Sequence, residues 1–131
     1  KPIGFLLAQE DNSILEIGND LIRDDFENSN PPSWLIEVAD AGHWSFSDIA
    51  GLEPKGQSNG QAAFMAGCGA GKRGSDGRDG EDFTYIDNET AREIAASRVA
   101  GFFRNALLGD TTGITDLTST DPKGSITVVS H

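Results

Sequence analysis

The chain has 131 residues, 37% of them apolar, which suffices for one domain with a modest core. Its formal net charge of −11 speaks against a nucleic-acid partner, because phosphate binding needs a positive field. No run approaches the roughly 18 apolar residues of a membrane span, and no secretory leader is visible.

Lys1-Pro2 leads at once into an apolar run, Ile3-Gly4-Phe5-Leu6-Leu7-Ala8, so residues 2–8 read as a fully buried strand. A domain rarely begins with its first strand already under way. The expectation is therefore a further N-terminal part, present as another segment or as a separate chain after processing. A leader on that part would not be visible, and secretion or a periplasmic location is the favoured setting.

Residues 13–28 read as an amphipathic helix. Ile14, Leu15, Ile17, Leu21, Ile22 and Phe26 share a broad face, with Glu16, Asp20, Arg23, Asp24 and Glu27 largely opposite. Asn12 or Ser13 can cap its start, and Asn30-Pro31-Pro32 ends it. Residues 33–39 form a second buried strand. Asp40-Ala41-Gly42 then turns the chain into His43-Trp44-Ser45-Phe46-Ser47-Asp48, and residues 45–52 are expected to add a short helical turn.

From 53 to 84 periodicity fades and Gly, Ser, Asp and Lys accumulate around a small apolar island with Phe64 and Met65. So long a stretch in a small domain reads as a functional or mobile loop bordering a cleft. Residues 88–108 form the strongest helix, with Ala91, Ile94, Ala95, Val99, Phe102, Phe103, Ala106 and Leu107 at helical spacing to pack on the sheet, capped by Asp87 or Asn88 and stopped by Gly109. Residues 110–124 read as a turn-rich tail, and 126–129 as a terminal edge strand.

In a parallel sheet the carboxyl ends of the strands share one rim, where open α/β folds gather their sites. Asp11 and His43 each follow a strand, and a helix between those strands makes them parallel. A carboxylate against one imidazole nitrogen fixes the tautomer and stabilises the imidazolium that forms when the other nitrogen takes a proton. Serine hydrolases of this architecture run serine, acid, histidine along the chain. The last two are present in that order, but no Gly-x-Ser-x-Gly elbow is found. Gly74-Ser75-Asp76-Gly77 lacks the leading glycine, and Ser45 and Ser47 follow the histidine too closely to meet it from an elbow.

On these residues the chain resembles the C-terminal part of an α/β-hydrolase. Pro2 to Asp11 is similar to the acid strand and Ala39 to Asp48 to the histidine loop. Cys68-Gly69, Tyr85-Ile86-Asp87 and Phe102 to Asp110 resemble the end of the predicted dienelactone hydrolases and platelet-activating-factor-acetylhydrolase-like esterases. The resemblance implies a mostly parallel sheet with helices on both faces, formed by residues 1–131 as the C-terminal segment of one domain. It implies a carboxylic-ester hydrolase with Asp11 as acid and His43 as general base. The serine and oxyanion-hole amides would lie on an N-terminal segment or partner chain, giving a processed heterodimer in the latter case. Substrates would be small or polymeric esters, with no cofactor or metal. Asp11 is favoured over Glu10 because it sits nine positions after Pro2, where that family's acid falls.

Plainer readings accompany these. Asp11 also suits a helix cap, and both roles can coexist; His43 could be a satisfied loop histidine. Trp44 and Phe46 could wall an acyl pocket or pack in the core. Cys68 is the one cysteine, so no internal disulfide forms; it reads as a buried thiol or a bridge to another segment, and a catalytic thiolate is disfavoured. Asp76, Asp79 and Asp82 could offer oxygens to calcium, though the spacing is not that of an EF-hand and a solvated turn is favoured. Gly67 to Lys72 lacks the spacing of a phosphate loop. His131 reads as a surface residue. The competing functional reading is a non-catalytic binding module on a hydrolase-like scaffold.

Overall fold

The computed structural model describes residues 1–47, 69–74, 80–119 and 125–131. Its elements run β1 (Ile3–Ala8), α1 (Leu15–Glu27), β2 (Ser33–Val38), β3 (Ala70–Lys72), β4 (Asp82–Thr84), α2 (Asn88–Leu108), α3 (Thr112–Thr118) and β5 (Ile126–Ser130). The expectations for Cys68, Phe64, Met65, Ser75, Asp76 and Asp79, and for most of the turn at 45–52, fall outside the described residues.

The two apolar runs near the N-terminus pair in parallel, from Ile3 opposite Ser33 to Ala8 opposite Val38. β5 then lies antiparallel on the other side of β2, with Trp34 opposite Ser130 and Val38 opposite Ile126. β3 and β4 form a separate antiparallel hairpin. The fold is mixed α/β. The expected mostly parallel sheet is thus corrected: among the described residues one strand pairing is parallel and two are antiparallel. The difference comes from the tail strand, whose return reverses the chain and puts it on the edge beside β2, and from the separate β3–β4 hairpin.

Side chains alternate across β1 and β2, so each strand serves two cores. Leu7 and Leu35 face Phe26 of α1, with Phe5 and Ile22 against them. Trp34 and Ile36 face the opposite side and join Leu117 of α3 and Ile126, with Leu6, Ile94 and Phe102 packed around them. A third cluster, Ala8, Val38 and Ala41, extends under the loops at the carboxyl ends of the strands. β2 carries the sheet: buried at five of its six positions, it touches helices on both faces. β1 is buried at only two of its six positions, and its first two residues are exposed, which corrects the reading of a fully buried strand.

The helix faces are corrected similarly. On α1, Phe26 and the polar Asn19 are buried, whereas Leu15, Ile17 and Leu21 are exposed. On α2, Ala91 is buried but Val99, Phe103 and Leu107 are exposed. Neither Asn12 nor Ser13 caps α1. Ile14 holds that position without a side-chain bond, and the first amides are served from Asp11. α2 matches its expected limits, with the Asp87 side chain accepting from Thr90 N–H and Gly109 closing the helix at φ +66.

The expected loop at 53–84 contains the β3–β4 hairpin, and the expected tail at 110–124 contains α3. Both escape a periodicity search because they are short; α3 spans only Thr112–Thr118. α3 is secured by a close crossing with α2. A β-carbon at Gly101 would lie 2.8 Å from the Gly113 carbonyl oxygen, and one at Gly113 would lie 2.5 Å from that of Gly101. Arg104 of α2 binds Asp110 and Asp116 at 2.6 Å each, and Arg98 donates to the Asp116 carbonyl and to Ser119 Oγ.

Backbones this close leave no room for a methyl group. Gly101→Ala or Gly113→Ala is expected to force α2 and α3 apart and to cost about 1–3 kcal/mol in urea unfolding, as overpacked cores do. Asp87 is held below its usual carboxylate range by the Thr90 amide and then by the Thr90 hydroxyl. A lowered native pKa contributes stability that is present above the unfolded value, ~4, and is lost as pH falls through the native value. The melting temperatures of wild type and Asp87→Ala should therefore differ at neutral pH and converge in acid.

Candidate active site

Asp11 and His43 stand on the two loops that leave the carboxyl ends of β1 and β2. Hydrogen bonding between these strands continues past the sheet: Gln9 N–H donates to the Val38 carbonyl at 3.0 Å, and Glu10 N–H to that of Ala41 at 2.8 Å. α1 adds a second restraint. The buried Asn19 amide donates from Nδ2 to the carbonyls of Ala8 and Gln9, at 3.2 and 3.1 Å. These are the carbonyls where β1 turns into loop, and backbone acceptors at such a buried point need a donor.

Asp11 divides its two oxygens. Oδ1 accepts from the amides of Ser13 and Ile14, at 3.0 and 3.2 Å, which orders the turn leading into α1. Oδ2 lies 2.9 Å from His43 Nδ1. The helix-cap role and the imidazole contact thus coexist on one carboxylate. With two amides on the first oxygen, the carboxylate plane is set before the imidazole meets it.

The histidine loop is equally restrained. Gly42 N–H donates to Ser45 Oγ at 2.9 Å, while Ser45 N–H donates to the Gly42 carbonyl at 3.0 Å. This double closure, with Ser45 fully buried, brackets His43 within one tight turn. The Trp44 ring stands edge-on to the imidazole, centroids 4.8 Å apart at 81°. The imidazole is 39% exposed, whereas the Asp11 side chain is only 9% exposed. A carboxylate partner selects the tautomer with its proton on Nδ1, which leaves Nε2 as the basic nitrogen.

Glu10, the neighbouring carboxylate, is committed elsewhere. Its side chain is completely buried and accepts from Arg73 Nη1 at 2.8 Å and from Gly74 N–H at 3.0 Å. The same Arg73 nitrogen lies 2.7 Å from Asp40 Oδ1. Arg73 is held protonated beyond the ordinary guanidinium, first by the Glu10 hydrogen bond, against the opposing effect of burial, and then by Asp40. Its guanidinium carbon also sits 4.7 Å over the Phe83 ring. Of the two adjacent carboxylates, Asp11 is the one that meets the imidazole.

The other expected site residues separate. Trp44 stays beside His43, but Phe46 packs on the cluster of Ala8, Val38 and Ala41, so its position is that of a core residue. Ser47 Oγ donates to the Trp44 carbonyl at 2.9 Å. Asp82 pairs with Lys72 at 2.6 Å on an exposed stretch of the hairpin. His131 lies at the surface as expected, where it tilts over Phe26 at 4.5 Å between ring centroids and approaches the Ser29 carbonyl at 3.1 Å.

Sequence reading missed Asn19, Arg73 and the contact of Asn12 Nδ2 with Tyr85 Oη at 2.7 Å. Asn19 left a trace, as a polar residue interrupting the apolar face of α1. Arg73 left none, because its partners lie 63 and 33 positions upstream and only folding brings them together.

Comparison of the chain with protein-family models, with curated proteins and with solved structures yields no match in any of the three.

Replacing Asn19 by Ala removes the donor of the buried Ala8 carbonyl and of the part-buried Gln9 carbonyl, and with it the Asn19 Oδ1 that is buried without a partner among the described residues. An unsatisfied buried group costs roughly 1–3 kcal/mol, so Asn19→Ala is expected to lower stability by about that much in chemical denaturation. The isosteric Asn19→Asp, which faces those carbonyls with a carboxylate, should be worse at neutral pH.

Proposed function

We propose that this chain supplies the acid and the base of a serine-type carboxylic-ester hydrolase whose nucleophile lies on another segment or a companion chain. The carrying observation is the 2.9 Å contact between Asp11 Oδ2 and His43 Nδ1 on loops from adjacent parallel strands. An imidazole so held has one nitrogen occupied by a carboxylate and the other available for proton transfer.

In the proposed reaction, a serine hydroxyl oxygen attacks the ester carbonyl carbon while His43 Nε2 takes the hydroxyl proton. Asp11 accepts from Nδ1–H throughout and stabilises the imidazolium. When the tetrahedral intermediate collapses, the C–O bond to the alcohol breaks and Nε2–H protonates the leaving oxygen. Water, deprotonated by the same nitrogen, then hydrolyses the acyl-serine. Neither serine beside the base suits the nucleophile's part: Ser45 Oγ is buried on Gly42 N–H, and Ser47 Oγ is engaged by the Trp44 carbonyl.

Two features favour a companion segment. β1 is an edge strand among the described residues, and Ile3 at its start is 39% exposed. On α2, which packs over the same sheet, Val99, Phe103, Leu107 and Leu108 are exposed, and a cavity of about 150 Å³ lies between the helix and β1, lined by Gly4, Phe5, Leu6, Val99, Phe102 and Phe103. Contiguous exposed apolar surface marks an interaction site more often than a solvent face. Among the described residues no helix is long and apolar enough to cross a membrane.

The capping bonds of Asp11 to Ser13 and Ile14 favour a second reading, a non-catalytic module in which this carboxylate only orders its loop. Activity separates the two. In the assembled enzyme, His43→Ala and Asp11→Asn are each expected to lower kcat toward an ester by about 10³-fold or more, and a fluorophosphonate probe should label a serine on the companion segment. Near-normal turnover by His43→Ala would falsify the assignment.

A further inference from the structure

Glu10 sits one residue before the acid, and Asp40 sits three before the base. Both carboxylates bind one nitrogen, Arg73 Nη1, at 2.8 and 2.7 Å. Arg73 belongs to neither loop. It extends β3, where its own N–H donates to the Glu81 carbonyl and its carbonyl accepts from Gly80 N–H, both at 2.9 Å. The hairpin is fastened to the same two loops by further bonds. Gly74 N–H donates to Glu10 at 3.0 Å, Asn12 donates to Tyr85 Oη at 2.7 Å, and Ile86 N–H donates to the Asp40 carbonyl at 2.9 Å.

We propose that Arg73 is a positioning residue: by bridging Glu10 and Asp40 it fixes, relative to one another, the loops that carry Asp11 and His43. This rests on reading Asp11 and His43 as the acid–base pair. The reasoning is geometric. Asp40 adopts φ +57, a left-handed turn that an L-residue holds only when its surroundings determine it, and Arg73 and Ile86 are the partners that do so. Glu10 is wholly buried and adjoins Asp11, so any displacement of its carboxylate moves the acid's backbone as well. The backbone bond from Glu10 to Ala41 couples the loops directly, the bonds to Glu10, Asn12 and Asp40 hold each loop to the hairpin, and among these contacts Arg73 is the side chain that spans both loops. A bridge at that point limits movement of one loop against the other. Errors of about 1 Å in such a pair cost on the order of 10²-fold in rate.

The charged groups bearing on the imidazole from these elements are Asp11, Glu10, Asp40 and Arg73, so the test should follow geometry rather than charge alone. Arg73→Gln keeps most of the side-chain volume and removes the bridge; Arg73→Lys restores a cation at the same position, one bond shorter, where a single nitrogen makes both bonds in the wild type. In the 131-residue chain, ¹⁵N NMR of the His43 ring reports which nitrogen holds the proton. Arg73→Gln is expected to shift the ring from the Nδ1–H form toward the Nε2–H form, with substantial recovery in Arg73→Lys. In the assembled hydrolase, kcat should fall tenfold to a hundredfold with KM little changed.

A folded Arg73→Gln with the wild-type tautomer, or with a lowered melting temperature as its sole change, would overturn the proposal. Should that variant not fold, Glu10→Gln decides by the same ring measurement, because its amide oxygen can still accept from Gly74 N–H while its NH2 group can no longer accept from Arg73. The tautomer readout needs no turnover. Failure of the hydrolase reading, seen as an active His43→Ala enzyme, is therefore distinct from failure of the clamp, seen as an unmoved tautomer.

Discussion

The parallel pairing of β1 with β2 is the constraint on which the rest of the molecule depends. Backbone hydrogen bonds between strands that run the same way bring both carboxyl ends to one rim, and the register from Ile3 opposite Ser33 to Ala8 opposite Val38 leaves the two loops level there. α1 makes this pairing possible by carrying the chain back across the sheet, and it stays in contact through Phe26 on Leu7 and Leu35. A one-residue slip would exchange the faces of every side chain on β1. Leu7 would leave Phe26 and Leu6 would leave Trp34 and Ile36, so the hydrophobic cores and the site geometry are specified together.

Polar groups then complete what the sheet begins. Asn19 closes the end of β1, Ser45 closes the turn around His43, and Glu10 draws Arg73 and the hairpin against both loops. Each of these side chains, Asn19, Ser45 and Glu10, is buried, where an unpaired polar group is costly and a paired one has few alternative positions. The loops around the site are thus held by buried hydrogen bonds while the imidazole stays 39% exposed. In the proposed reaction that combination suits a proton carrier, which must be held in one tautomer yet reach a reacting atom.

Much of this is legible in the sequence. The helices at 13–28 and 88–108 announced themselves by apolar spacing and by the stop residues Pro31 and Gly109, and the two N-terminal strands by short apolar runs. The proximity of Asp11 to His43 followed from the order strand, helix, strand. The exposed Leu15, Ile17, Leu21, Val99 and Phe103 were not anticipated, because periodicity identifies an apolar face without saying what covers it. The hairpin, α3 and the antiparallel placement of β5 were missed for a different reason. Their segments are short, rich in Gly, Ser and Thr, and take their conformation from contacts with distant parts of the chain.

Local rules by themselves determined the limits of α2, the approximate place of α1, the two N-terminal strands and the terminal one, and that a carboxylate and an imidazole follow consecutive strands, since such features depend on neighbours a few positions away. Tertiary structure alone decided that Asp11 rather than Glu10 meets the imidazole, that Phe46 turns into the core, and that Arg73 joins loops far from it in the chain. Adjacent residues such as Glu10 and Asp11 share composition and local propensity but point to different sides of the backbone. Only the packing of the hairpin on one of those sides tells them apart.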